Sequence, residues 1–204
     1  MLFVYGKLKL RKWKRYGPEK RHAILQAIEK KLAKEQRREF LPLVIHEDPN
    51  WHCYGMFSAR GDEKKMWIHQ DLIDDPKMRF HALETIIHEG RHAMQYDKVI
   101  GKKLRWYEFK YKRWRDNWQG YFSSKEDITI YNNQEIERDA QSYTIAKLQK
   151  LANKYKKEKD FAITLQTNKR RYEYAENEAY KKYGPFARWR INRKVRKKSK
   201  SNYR

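Results

Sequence analysis

His88 and His92 stand four residues apart in the stretch HEGRH, with Glu89 directly after the first histidine. On a helix this spacing projects both imidazoles from one face a turn apart, so both can reach a single metal ion. Zinc suits two nitrogen ligands of this kind, and Glu89 is placed to hold a water at the metal and take its proton as that water attacks a carbonyl. With seven His and sixteen Glu in 204 residues, chance supplies the pattern only roughly 0.02 times, so composition alone is a weak explanation.

A hydrolytic zinc site needs a third protein ligand and an open position for water. The best source is the downstream stretch YNNQEIERDAQSY, which reads as the start of a helix able to pack antiparallel to the first. Within it, Glu137 is followed by Ala140 and Tyr143 at successive steps of three, and a small residue one turn from a ligand lets two helices approach closely.

HEGRHAMQ, preceded by the apolar ETII and followed by YNNQEIERDAQSY, resembles the gluzincin branch of the zincin-like metallopeptidases. It is most similar to the small bacterial and phage families related to the ImmA/IrrE type, whose second motif has the form Glu-x-x-Ala-x-x-aromatic. The resemblance covers roughly residues 64–147. It implies Zn2+ held by His88, His92 and Glu137, with Glu89 as general base. It also implies an edge strand ahead of the metal helix, lining the substrate cleft, a role that KKMWIHQ could fill.

The chain departs from thermolysin-like gluzincins four residues after Glu137, where Gln141 stands in place of an acid. Counted from Glu135, that position is Asp139, so Glu135 is an alternative ligand. Among other histidines, His81 falls near the face of His88, and His69 and His52 lie in expected strands; each reads first as a structural or surface residue. Tyr121, Tyr131 and Tyr143 could each supply an oxyanion donor. Cys53 reads as a small apolar strand residue.

The elements that must position these groups follow from periodicity. Pro18 opens a helix whose face is Ile24, Leu25, Ile28 and Leu32. LPLVIHE, WHCYGMFS and KKMWIHQ, bounded by Asp-Pro-Asn and Ala-Arg-Gly-Asp-Glu, predict a small antiparallel or mixed sheet over 41–70. A helix over about 77–96 carries HEGRH near its end on a stripe of Leu83, Ile86, Ile87, Gly90 and Met94. Gly90 costs about 1 kcal/mol relative to Ala in a helix, which points to close packing at that residue, near the metal. Residues 102–118 place Leu104, Tyr107, Tyr111, Trp114 and Trp118 on one helical face with basic residues around it, which reads as a core stripe under a solvated face. Further helices are expected from near Asn133 and over 160–183.

The expected fold class is α+β and zincin-like: a small sheet packed on a metal-binding helix, further helices and a basic tail. The expected organisation is a basic N-terminal segment and helix over 1–40, a metallopeptidase core over 41–158, a helix over 159–185 and a disordered basic tail over 186–204.

A formal charge of +23 and a single cysteine bound the function. No internal disulfide is possible, and the amino terminus inverts the order of a signal peptide, so the expectation is a cytoplasmic protein with no transmembrane segment. The basic excess gathers in residues 1–21, 99–125 and 186–204, stretches suited to nucleic acid, an anionic membrane surface or an acidic partner, or simply solvated. The leading expectation is a hydrolase, a zinc metallopeptidase acting on a protein or peptide substrate. The alternatives are a nucleic-acid-binding protein with a structural or vestigial zinc site, or an inactive peptidase homologue serving as an interaction module.

Overall fold

A computed structural model describes residues 4–60, 63–105 and 107–202. In chain order the elements are a 3-10 turn (Val4–Leu8), α1 (Leu10–Trp13), α2 (Pro18–Gln36), β1 (Leu43–His46), β2 (Gly55–Arg60), β3 (Glu63–His69), α3 (Asp71–Asp74) and α4 (Arg79–Val99). They are followed by α5 (Phe109–Gln119), α6 (Ile128–Asn133), α7 (Glu135–Leu151), α8 (Lys159–Tyr183) and α9 (Ala187–Ser201). The fold is mixed α+β and mostly helical, with one small sheet. Among the described residues, no helix is long and apolar enough to cross a membrane.

The chain forms two units, one of Met1–Met94 with Tyr143–Gln166, the other of Gln95–Ser142 with Thr167–Arg204. In the first, the sheet order is β1-β3-β2, with β1 parallel and β2 antiparallel to β3. The sheet is therefore mixed, and β3, which contains KKMWIH, is its central strand. This corrects the expectation that KKMWIHQ is an edge: the edge next to the metal-motif helix is β2. The cause lies in β1, whose register Leu43↔Met66 occupies the side of β3 that a simple hairpin would leave open. Gly61 and Asp62, part of the expected boundary Ala-Arg-Gly-Asp-Glu, lie outside the described residues.

α2 is fastened to the start of the sheet by Gln26, which donates to the Leu41 carbonyl and accepts from the Leu43 N–H, both at 2.8 Å. The core of this unit joins Leu25, Ile28 and Leu32 of α2, Met66 and Ile68 of β3, and Leu83, Ile86 and Ile87 of α4, all fully buried. Burial of such side chains contributes about 1.5–3 kcal/mol each. Arg79, itself 0% exposed, reaches Glu158 at 2.8 Å and Asp160 at 2.7 Å, so its buried charge is balanced by two carboxylates.

The second unit is helical. Ile130, Ala179, Tyr183, Ala187, Ile191 and Val195 form its core cluster. The stretch expected to be disordered is thus the helix α9. Its basic density masks a narrow apolar stripe: Ala187, Ile191, Val195 and Ser199 recur every four residues and are buried. Gly120 lets α5 approach α9, since a Cβ there would lie 2.7 Å from the Ser199 N. The helix expected over 102–118 begins only at Phe109, and its stripe divides: Trp114 is buried, Tyr107 is exposed. Trp106 lies outside the described residues.

Candidate metal centre

α4 is built so that its apolar face, Leu83, Ile86 and Ile87, points into the core and fixes the helix by the side chains that precede HEGRH. His88 and His92, one turn apart, turn their Nε2 atoms to 3.1 Å of each other, with ring planes at 80°. Glu137 completes a group with them: each of the three residues offers a ligand atom, and these atoms all lie within 4.8 Å of one another. His92 and Glu137 are buried and His88 half-buried.

The donor set fits a zinc ion. Two nitrogens about 2.0–2.1 Å from one tetrahedral ion stand roughly 3.3 Å apart, close to the separation found. Two imidazoles and one carboxylate are also the ligand chemistry of hydrolytic zinc sites.

Local contacts hold Glu137 and the helix termini around the group. Tyr121 Oη donates to Glu137 Oε1 at 2.7 Å. Burial, and then the charge of Glu137, raise the Tyr121 phenol well above its ordinary value, so it remains a protonated donor. Tyr131 stands edge-on to Tyr121, with centroids 6.0 Å apart. At the start of α7, Asn117 Oδ1 accepts the Ile136 N–H at 3.2 Å, giving that helix terminus a side-chain partner. Gln95, fully buried and three residues after His92, donates to the Ile136 carbonyl and to Asp139 Oδ2, both at 2.9 Å. The last turn of α4 is thereby tied to the first turn of α7.

Glu89 accepts a hydrogen bond from the Phe57 backbone N–H at 2.8 Å. Phe57 lies on the edge strand β2, so the carboxylate next to His88 is fixed from the sheet. The close approach depends on Gly55, where a Cβ would overlap Thr85 and lie 3.4 Å from Glu89 Cγ. An isolated glycine in a strand pattern is a signal for such an approach, and it was open to the sequence reading.

Glu135, the alternative ligand, is not in the group. It faces Arg113 at 3.4 Å and accepts from Asn192 Nδ2 at 3.2 Å. His81 pairs with Glu84 at 3.4 Å and stacks on Tyr54, while His69 pairs with Asp71 at 3.4 Å. His52 and Cys53 are exposed. Tyr143 lies under the Arg91 guanidinium at 4.7 Å.

Gly90 is buried, but the group that needs its space is not at the metal. A Cβ there would lie 2.6 Å from Arg38 Nη2. Arg38 forms a two-pronged pair with Glu29, both bonds 2.7 Å, with side chains 1% and 0% exposed. Glu29 Oε1 also accepts the Leu41 N–H at 2.6 Å. The clearance expected near the metal therefore serves a buried guanidinium on the other side of α4.

Comparison of the chain with protein-family profiles, with curated proteins and with solved structures returns no match.

Proposed function

We propose that the protein is a zinc-dependent metallopeptidase of the gluzincin kind. The observation that supports this reading is the group of His88, His92 and Glu137, within 4.8 Å, beside a carboxylate, Glu89, that the sheet edge holds in place.

His88, His92 and Glu137 would hold Zn2+, which when bound lowers the pKa of water and polarises a carbonyl. Glu89 accepts the proton of the attacking water and delivers it to the leaving amine. The Phe57 N–H fixes the direction in which Glu89 points, and the Tyr121 phenol fixes Glu137. β2, as the edge strand beside Glu89, takes the role expected of KKMWIHQ: an extended peptide lies along it. The test is cleavage of a peptide mixture, followed by mass spectrometry, with zinc present and after chelation. Cleavage that depends on zinc and returns on its readdition supports the reading; no cleavage by the zinc-loaded protein, or cleavage indifferent to chelator, opposes it.

A further inference from the structure

The second unit carries a surface that the hydrolytic reading does not use. Residues 167–204 hold fourteen Lys or Arg against three acidic residues, and α9 alone has eight and no acid. Some of these charges are engaged: Arg196 with Asp116 at 3.3 Å, Lys198 with Glu126 at 2.5 Å, and Arg188 with Glu176 at 2.6 Å. Arg190, Lys197 and Lys200 are exposed and have no acidic partner among the described residues.

Aromatic rings stand in the same place. Tyr180, Phe186 and Trp189 are 62%, 67% and 60% exposed. All three line a cavity of about 520 Å³ where α8 turns into α9, with Arg138 and Arg188 in its wall. Trp189 also lines a second cavity of about 450 Å³, with Arg113, Arg193 and Arg196, and the Arg193 guanidinium lies 5.4 Å from its ring centroid. Trp189 thus lines both of two cavities that carry arginines. The acids present, Glu176 and Asp116, are each paired with arginine, which leaves the surface positive.

We propose that this surface binds single-stranded nucleic acid, with unpaired bases stacked on Trp189 and its neighbouring rings and the backbone following the arginines and lysines of α9. Base faces are available for stacking only where they are unpaired, and cationic grooves with exposed rings meet that need. A lipid surface fits less well, because the apolar stripe of α9, Ile191 and Val195, is buried and the exposed rings line cavities.

The test uses the full-length protein and a fluorescein-labelled oligo-dT of about 20 nucleotides, read by anisotropy, against a duplex of equal length, heparin, and phosphatidylcholine vesicles carrying phosphatidylserine. Oligo-dT is expected to bind more tightly than the duplex, with affinity falling steeply as salt rises. Trp189→Ala should weaken oligo-dT roughly tenfold and leave heparin binding unchanged, while Trp189→Phe retains most of the affinity. Arg190→Gln with Lys197→Gln should flatten the salt dependence. Equal losses for oligo-dT and heparin, unchanged oligo-dT binding in Trp189→Ala, or binding to vesicles in place of oligo-dT would each overturn the proposal. Because Trp189 is exposed, an unchanged thermal melt separates lost binding from lost folding.

Discussion

The Tyr121 phenol and the Glu137 carboxylate are joined at 2.7 Å, so one oxygen of the group's only acid is oriented by a neutral donor. Tyr121→Phe keeps the ring and deletes that donor. Zinc affinity is expected to fall about tenfold, within the range seen when ligand-orienting partners are lost. Competition titration with a chromophoric chelator measures it, and an affinity equal to wild type would show that Glu137 does not need the phenol.

Glu89→Gln preserves a carbonyl oxygen able to accept the Phe57 N–H but removes the basic carboxylate. Peptide cleavage should fall by roughly 10²–10⁴-fold while the zinc content stays unchanged. Elemental analysis beside a cleavage assay separates the two effects; cleavage that survives would remove Glu89 from the proton-transfer role.

Zinc binding should also appear as stability. A ligand at a hundred times its Kd raises the unfolding free energy by about 2.7 kcal/mol, so zinc is expected to raise the Tm of the wild-type chain. His92→Ala should abolish the shift and Glu137→Gln reduce it. Glu135→Gln should keep it, since Glu135 faces Arg113 and Asn192. A shift lost in Glu135→Gln and retained in Glu137→Gln would reverse the assignment of the third ligand.

Gly90→Ala sets two effects against each other. Helix propensity gains about 1 kcal/mol, whereas the new methyl lies 2.6 Å from the Arg38 guanidinium and must break or displace its pair with Glu29. Loss of one partner from a buried pair costs about 3–5 kcal/mol, so the net expectation is destabilisation by about 2 kcal/mol or more. Urea unfolding provides the measurement; a variant as stable as the parent would mean that Arg38 can yield at little cost.

Acid should release Glu126 from Lys198. Lys198, and then the Ser123 N–H and hydroxyl, hold the Glu126 carboxyl down to about 2 from an ordinary value of 4.5. A depressed folded pKa means that folding favours the ionised form. The contribution is therefore complete above pH 4.5 and disappears as pH falls toward 2. A carboxyl NMR titration should place the Glu126 midpoint near 2, and Lys198→Gln should move it back toward 4.5; a midpoint that stays put in Lys198→Gln would show that Lys198 is not the cause.

Spacing made two of the metal group's three members legible, because His88 and His92 share a helix face by geometry alone. Glu137 was harder: two glutamates two residues apart differ by about 200° around a helix, and only their neighbours, Tyr121 for one and Arg113 for the other, distinguish them. The strands were readable from their bounding turns, but strand order was not, since nothing local to KKMWIHQ records that β1 pairs with its second side. Charge density hid α9, whose four apolar or small positions are enough once a partner core exists. Pairs such as Arg38 with Glu29 join residues that carry no apolar signal, and their burial is decided by the surrounding structure.

Arg37, which ends α2, is the only described non-glycine residue at positive φ, 53°, and Arg38 follows it directly into the pair with Glu29 beneath Gly90. Neither charge of that pair can leave water alone without a large penalty, so Arg38 and Glu29 are buried together, and Gly90 leaves the room that α4 needs to lie over them. The residue that interrupts the metal motif is thereby also the one that lets the helix carrying His88 and His92 settle over a buried ion pair.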